Sequence, residues 1–104
     1  MTTTAIEVLA EPTRRRILDL LSAGERPVGE LAVERRLAQP SVSKHLKTLR
    51  AAGLVTVRAD AQRRLYRLRL EPLLELDRWL EPYRRLWAER LDDLERHLDQ
   101  MEEA

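Results

Sequence analysis

The spacing of apolar residues changes at Gly53, and this change constrains the fold more than any other feature of the 104-residue chain. Before Gly53, apolar residues recur three or four positions apart, as on one face of an α-helix. After it they alternate with polar residues over 55–58 and 65–69, as in a β-strand. The sequence therefore predicts helices followed by a two-stranded antiparallel hairpin with Asp60-Ala61-Gln62 at its turn. So short a hairpin needs helical support.

Four short helices are predicted before the hairpin. The first ends before Pro12, and the second has Pro12 in its first turn and Gly24 as its stop. The third and fourth carry apolar stripes at 27–32 and 42–49, and residues 36–39 separate them. Two short helices joined by such a turn match the helix-turn-helix pattern.

A long apolar stripe follows the hairpin and predicts a C-terminal helix with one apolar face. The stripe consists of Leu73, Leu76, Leu80, Tyr83, Trp87, Leu91, Leu94, Leu98 and Met101. A continuous helix of this extent would be about 45 Å long. Leu-Glu-Pro occurs at 70–72 and again at 80–82, which we interpret as a repeated helix-start signal. Because Pro82 cannot donate a helical hydrogen bond, we expect a kink or a break near Glu81, and the sequence leaves open which of the two occurs.

The composition is that of one small domain, spanning 1–104, without cysteine chemistry. The chain has no Cys, three Gly and two His. The absence of Cys excludes disulfides, thiolate metal sites and cysteine nucleophiles. The sequence also contains no Ser-His-Asp arrangement and no Gly-rich phosphate loop. We therefore expect neither an enzyme nor a cofactor. No uncharged apolar run approaches the ~18 residues that a membrane span needs, and no export signal is visible, so we expect a cytoplasmic protein with no membrane partner.

The net charge of +1 conceals a strong segregation along the chain. Residues 1–37 are neutral, residues 38–69 carry +7 and residues 71–104 carry −6. Such asymmetry favours a polyanion-binding surface in the middle of the chain and a separate function at its end.

The fourth predicted helix has the residue types that read DNA. With Val42, Leu46 and Leu49 facing inward, its other side presents small hydroxyls and lysines. Gln39 can make paired hydrogen bonds to adenine, while lysines reach guanine edges or phosphates. A solvated surface face explains this helix equally well when it is considered alone. The fourth helix is followed by a hairpin that carries Arg63 and Arg64 just past its turn. Together they favour a nucleic-acid-binding function, because such arginines can bind the DNA backbone or the minor groove.

Several motifs, taken in order, resemble the ArsR-type winged helix-turn-helix repressors. They are LAEPTRRRILDLL at 9–21, VGELA at 28–32, QPSVSKHL at 39–46, AGLV at 52–55 and RRLYRL at 63–68. WLEPYRRLW at 79–87, followed by ERL at 89–91, is further similar to the subgroup named after the autorepressor SdpR. The resemblance covers nearly the whole chain.

The resemblance implies a mainly α fold with a small antiparallel β-hairpin: a helix-turn-helix at about 27–52, a wing at about 54–69 and a C-terminal dimerisation helix or helices at about 72–102. It implies a homodimer that binds a pseudo-palindromic operator in double-stranded DNA and represses its own or an adjacent gene. By position, the DNA-binding residues would be Gln39, Ser41, Ser43, Lys44, His45, Lys47, Arg63 and Arg64. The dimer interface would include Ile6, Leu76, Trp79, Leu80, Tyr83, Trp87, Leu91 and Leu94. The alternative is a winged-helix interaction module whose basic face binds an acidic protein.

Three positions depart from the family pattern. Arg36 stands where Gly is usual in the helix-turn-helix turn, Ala38 where a Ser cap is usual, and Ala61 where the wing commonly has Gly. A non-Gly residue in the left-handed region costs roughly 1–2 kcal/mol and a lost cap about 1 kcal/mol. The turn at Arg36 therefore has either another shape or compensating contacts, and at Ala61 we expect a longer or more mobile wing turn.

Metal and ligand sensing are not predicted. Asp93 and His97 are four residues apart on the C-terminal helix, a spacing that permits chelation, but a single His with carboxylates is an incomplete site. The aromatic residues of this helix are better explained by a buried interface than by a ligand pocket. The inducer, the operator and the target gene stay unassigned.

Overall fold

The computed structural model describes residues 2–103, apart from the side chains of residues 2–4 and 35, as five helices and three strands. In chain order these elements are α1 (Thr2–Leu9), α2 (Pro12–Leu21), β1 (Arg26–Pro27), α3 (Val28–Arg35), α4 (Gln39–Ala51), β2 (Val55–Asp60), β3 (Arg63–Leu68) and α5 (Glu71–Glu103). The architecture is a winged helix-turn-helix, with α3 and α4 as the helix-turn-helix and the β2–β3 hairpin as the wing. The predicted fold class is confirmed.

The core lies between α2, α3, α4 and the sheet, and the predicted apolar stripes fill it. Its largest fully buried side chains are Ile17, Leu31, Val42, Leu46, Leu49, Leu54 and Val55. Val42, Leu46 and Leu49 all come from α4, so the predicted inward face of this helix is confirmed. Burial of this face fixes the rotation of α4 and turns its opposite side to solvent.

The α3–α4 turn keeps a left-handed residue although it lacks glycine. Arg36 has φ 54° and ψ 39°. Its N–H donates to the Val33 carbonyl at 3.2 Å, and the Leu37 N–H donates to the Ala32 carbonyl at 3.0 Å, which is the Schellman pattern of a helix end. Leu37 packs against the core, so these contacts offset the strain at Arg36. Ala38 makes no side-chain cap, but its carbonyl accepts the N–H of Ser41 at 3.0 Å, and Pro40 has no N–H to satisfy.

The sheet has three antiparallel strands in the order β1-β3-β2, so the prediction of two strands was incomplete. The third strand, β1, pairs Arg26 with Tyr66 and Pro27 with Leu65. The wing turn is Ala61-Gln62, because Asp60 already pairs with Arg63 inside the ladder. Ala61 has φ 55°, a positive value of the kind that the first central residue of a two-residue hairpin turn adopts. The expectation of a longer turn at Ala61 was wrong, since strand pairing imposes the short one.

The C-terminal helix α5 is continuous over 33 residues, about 50 Å, and the alternative of a break at Pro82 is wrong. The first Leu-Glu-Pro does mark a helix start, at Glu71, but the second lies within the helix. Arg84 spans the turn that contains Pro82: it donates to Asp77 at 2.8 Å and to Glu81 at 2.6 Å. The molecule is elongated, 69 × 29 × 21 Å. The N-terminal helix α1 packs against α5.

Candidate nucleic-acid interface

The solvent-facing side of α4 carries the predicted contact residues. Gln39, Ser41, Ser43, Lys44 and Lys47 are all exposed. The burial of Val42, Leu46 and Leu49 on the other side of the helix produces this arrangement. Five of the eight predicted DNA-binding residues are therefore exposed on α4.

Arg50 extends this face toward the wing. Gln39, Ser43, Lys47 and Arg50 follow one another at i, i+4, i+8 and i+11, so they form one line along the exposed side of α4. Arg50 is exposed and lies in the last turn of the helix. It was counted in the basic middle of the sequence but was not among the predicted contact residues. Its helical spacing from Gln39 and Lys47 was the signal that could have identified it.

His45 occupies a different place from the other predicted contact residues. It is half-buried, and its Nδ1 accepts a hydrogen bond from Arg14 Nε at 3.4 Å and lies 3.7 Å from Glu11 Oε2. Arg14 in turn donates from Nη1 to the Val8 carbonyl at 3.2 Å. His45 therefore joins α4 to the start of α2.

Glu11 is the N-cap of α2 and completes this junction. Its carboxylate accepts the backbone N–H of Thr13 at 3.1 Å and that of Arg14 at 3.3 Å. These hydrogen bonds, that from Thr13 above all, lower the pKa of Glu11 below its ordinary value, and the neighbouring His45 adds to the effect. The charged carboxylate therefore stabilises the N-terminus of α2, where Arg14 contacts His45 of α4.

Arg63 and Arg64 point to opposite faces of the wing, because neighbours in a strand alternate and each residue shares a face with its cross-strand partner. Arg64 pairs with Ala59, and Arg63 pairs with Asp60. Arg64, Ala59 and Val57 line an open cleft of about 270 Å³ together with Arg50 of α4. Arg58 lines the same cleft, so one arginine of α4 and two arginines of the wing lie around it.

Acidic neighbours neutralise part of the basic segment. Arg58 donates from Nε to Glu25 Oε2 at 3.0 Å, and this pair raises the pKa of Arg58 and lowers that of Glu25. Arg63 donates to Asp60 at 3.2 Å, and Arg69 lies 3.5 Å from Glu71. Within residues 2–103, no ion pair involves the cations of the line on α4 or Arg64. The cations of α4 and Arg64 of the wing are therefore open to a polyanion.

The predicted interface residues lie apart from this surface, on α1 and α5. Ile6, Trp79, Tyr83, Trp87, Leu91 and Leu94 are exposed, while Leu76 and Leu80 are half-buried. The rings of Trp79 and Tyr83 are 5.0 Å apart and tilted by 44°. Leu98 and Met101 are exposed as well and extend the stripe beyond the predicted set.

The described residues contain no cluster of three His, Cys, Asp or Glu side chains suited to a metal ion. Asp93, half of the possible pair with His97, forms an ion pair with Arg96 instead. Over residues 2–103, no helix is both long and apolar enough to cross a membrane.

Comparison with known proteins identifies the family. Residues 11–57 match the family model described as bacterial regulatory protein, arsR family. The chain is 32% identical over 74 residues to the transcriptional repressor SdpR of Bacillus subtilis, covering 71% of this chain and 82% of SdpR. The chain belongs to the ArsR family. An HTH-type transcriptional regulator of Mycobacterium tuberculosis is 45% identical over 64 residues, which span 62% of this ArsR-family chain but only 60% of the relative.

A solved structure supports the same assignment. A possible transcriptional regulator for arsenical resistance superposes with a TM-score of 0.68 at 41% identity, covering 80% of this chain and 92% of the other. The resemblance drawn from the motifs is therefore confirmed. This ArsR-family chain belongs to a group whose named relatives are regulators of transcription.

Proposed function

We propose that this protein is a transcriptional repressor that binds double-stranded DNA as a homodimer in the cytoplasm and represses its own or an adjacent gene. The observation that carries the proposal is the continuity of one cationic surface from α4 to the wing. Gln39, Ser43, Lys47 and Arg50 form its line on α4, and Arg64 continues it across the cleft. The proposal also agrees with the family, because the relative SdpR is a transcriptional repressor.

The recognition helix α4 enters the major groove, which is about 12 Å wide and admits an α-helix. Gln39, Ser41, Ser43 and Lys44 read base edges, because they come from the first half of the helix. Their side chains are exposed and lie outside the buried stripe of α4. The small serines let the helix approach the groove closely.

Lys47, Arg50 and Arg64 bind phosphates on either side of the groove. Their charges lie where the helix ends and the wing begins, and the cleft between Arg50 and Arg64 has room for a phosphate group. Such contacts fix the register of the protein on the duplex but carry no sequence information. His45 acts indirectly, by holding α4 against Arg14 and Glu11.

Two copies place two recognition helices on one face of the duplex. A twofold dimer requires a pseudo-palindromic operator. The centres of its two half-sites are separated by one helical turn of DNA, roughly 34 Å, or by a multiple of that distance. The exposed apolar stripe of α5 supplies the contact between copies, and its acidic flanks keep this arm away from phosphate.

The decisive experiment measures binding of the whole chain to the DNA upstream of its own gene at several salt concentrations. A repressor prefers this duplex to random duplex of equal length, and its affinity falls steeply with salt because bound phosphates release counterions. An equal affinity for both duplexes would contradict the proposal. It would favour the alternative, in which the basic face binds an acidic protein.

A further inference from the structure

Arg36 has a backbone conformation that few residues other than glycine adopt. Among the residues that the structure describes, only Arg36 and Ala61 have a positive φ without being glycine. The φ of 54° and ψ of 39° place Arg36 in the left-handed region, where a Cβ atom crowds the following carbonyl oxygen. Glycine adopts this conformation without that crowding. Because such residues cluster at functional sites, the arginine points to a functional contact.

The contacts of the α3–α4 turn give no structural reason for an arginine. They are made by the backbone: the Arg36 N–H donates to the Val33 carbonyl, and the Leu37 N–H donates to the Ala32 carbonyl. Glycine at position 36 would make the same hydrogen bonds, and the side chain that packs against the core is that of Leu37. The Arg36 side chain is exposed, and no ion pair within the described residues involves it. Its charge is therefore available to an external anion.

The position of Arg36 places this charge beside the start of the recognition helix. Arg36 lies three residues before Gln39, the first residue of α4, and three residues span at most about 11 Å. The hydrogen bonds of Arg36 and Leu37 hold the intervening backbone against the end of α3. The first turn of α4 has no cation of its own, because Lys44 is the first basic residue of the helix.

The other available cations lie toward the opposite end of α4. Arg50 is eleven residues after Gln39, which corresponds to about 16.5 Å along the helix. This distance exceeds the width of the major groove, which is about 12 Å. The phosphates nearest to the start of α4 therefore differ from those nearest to Arg50 and the wing.

We propose that Arg36 binds a phosphate of the DNA backbone beside the start of α4. The inference rests on the function proposed above and adds a residue to its DNA-binding surface. This contact lies where Lys47, Arg50 and Arg64 leave the surface without a cation. It holds α4 in the groove from its other end and carries no sequence information. The turn keeps an arginine for this contact, although glycine would make the turn more stable.

The test compares Arg36→Gly, Arg36→Asn and Arg36→Lys in the whole chain, with Arg78→Gln as the control for the loss of one charge. Asparagine tolerates the left-handed region but carries no charge. Arg78 is exposed on α5 and lies half a helical turn away from Trp87, on the side opposite to the apolar stripe. Affinity for the DNA upstream of the gene and for random duplex of equal length is measured at several salt concentrations, together with the melting temperature.

Arg36→Gly and Arg36→Asn should each reduce the magnitude of the slope of log affinity against log salt by about 0.9, the value for one phosphate contact. At 0.1 M salt this loss corresponds to about eightfold weaker binding to both duplexes. Arg36→Lys keeps the charge and should keep the slope, and Arg78→Gln should change neither slope nor affinity. Arg36→Gly should also raise the melting temperature. A more stable protein that binds DNA more weakly is a result that a purely structural role of Arg36 does not produce.

The other outcomes separate this inference from the proposed function. An unchanged slope in Arg36→Gly, while the unsubstituted chain still prefers its upstream duplex, would overturn the phosphate contact alone. A loss of both melting temperature and affinity in Arg36→Gly would overturn it as well, because Arg36 would then support the fold. Weaker binding to the upstream duplex with unchanged binding to random duplex would assign Arg36 to a base edge, against this inference. An unsubstituted chain without preference for its upstream duplex would overturn the proposed function, and this inference with it.

Discussion

Arg63 and Arg64 are adjacent in sequence, yet they lie on opposite faces of the wing: Arg64 faces the cleft beside Arg50, and Arg63 pairs with Asp60. From the sequence, both arginines were predicted to bind the DNA backbone or the minor groove in the same way. The alternation of strand residues divides that role, because only one face of the wing continues the surface of α4.

We therefore expect Arg64→Ala to weaken DNA binding more than Arg63→Ala. Arg64 has no acidic partner among the described residues, so its charge is available to a phosphate, whereas Asp60 already offsets Arg63. Loss of one phosphate contact should lower the slope of log affinity against log salt by about 1 and weaken binding to all sequences alike. Fluorescence anisotropy at several salt concentrations measures both quantities, and Arg50→Ala should behave like Arg64→Ala. Identical slopes for the Arg63 and Arg64 variants would contradict the division of faces.

The Gln39→Ala change should relax sequence preference at one base-pair position of each half-site. Gln39 opens the line on α4 and is exposed, so its amide can reach a base edge when the helix lies in the groove. Losing a bidentate contact to adenine costs about 1–3 kcal/mol of discrimination at that position. The loss of discrimination is measured by binding the variant to a set of operators that differ by single base pairs. Equal losses at every position would remove Gln39 from the readout residues.

The sequence predicted those parts of the molecule that periodicity or local chemistry determines. The buried face of α4 and the start of α2 at Pro12 follow from such local signals. At Arg36 the sequence left two alternatives open, and the structure shows the left-handed turn with compensating contacts. Arg50, which we propose as a contact residue, was not predicted: its helical spacing from Gln39 and Lys47 is present in the sequence, but its place beside the wing is visible only in the fold. The strand β1 has two residues, which is too short to show an alternating pattern.

Two local rules failed where other contacts outweighed them. Proline usually interrupts a helix, but around Pro82 the ion pairs of Arg84 with Asp77 and Glu81 bridge the affected turn. At Ala61 the absence of glycine suggested a loose wing turn, but six cross-strand pairs between β2 and β3 fix a two-residue turn. His45 was placed with the DNA contacts by position, and its partners on α2 could not be read from the sequence.

Polar substitution of the α5 stripe should abolish dimerisation and operator binding together. Leu80→Ser combined with Trp87→Ser removes two apolar side chains from the face that we propose joins the copies, and a monomer presents only one recognition helix. Analytical ultracentrifugation and operator binding follow the two properties, with Arg85→Ser on the opposite side of α5 as the matched control. A monomer that still bound the full operator tightly would contradict the dimeric mode of binding.

Acid should weaken the contribution of Glu11 to stability. Its pKa in the folded protein is lowered by the N–H groups of Thr13 and Arg14, so its contribution is fully present above the ordinary glutamate pKa of about 4.3. That contribution is lost as the pH falls through the lower folded pKa. Glu11→Gln should therefore lower the melting temperature at pH 7, and the difference from the unsubstituted chain should shrink below about pH 4.3. A difference that stayed constant down to pH 3 would show that the charge of Glu11 is irrelevant.

Ala61→Gly should stabilise the protein, because Ala61 has a φ of 55° in a turn imposed by the β2–β3 ladder. Glycine removes the steric cost of a left-handed residue, roughly 1–2 kcal/mol, but adds about 0.4–1 kcal/mol of chain entropy to the unfolded state. We expect a net gain of about 0.5–1 kcal/mol in the free energy of unfolding, measured by urea denaturation at fixed protein concentration. Ala51→Gly, in the last turn of α4, is the matched control and should cost about 1 kcal/mol. If Ala61→Gly and Ala51→Gly lowered the free energy of unfolding equally, the backbone of Ala61 would not be strained. Strand pairing would then not be holding the wing turn in an unfavourable conformation.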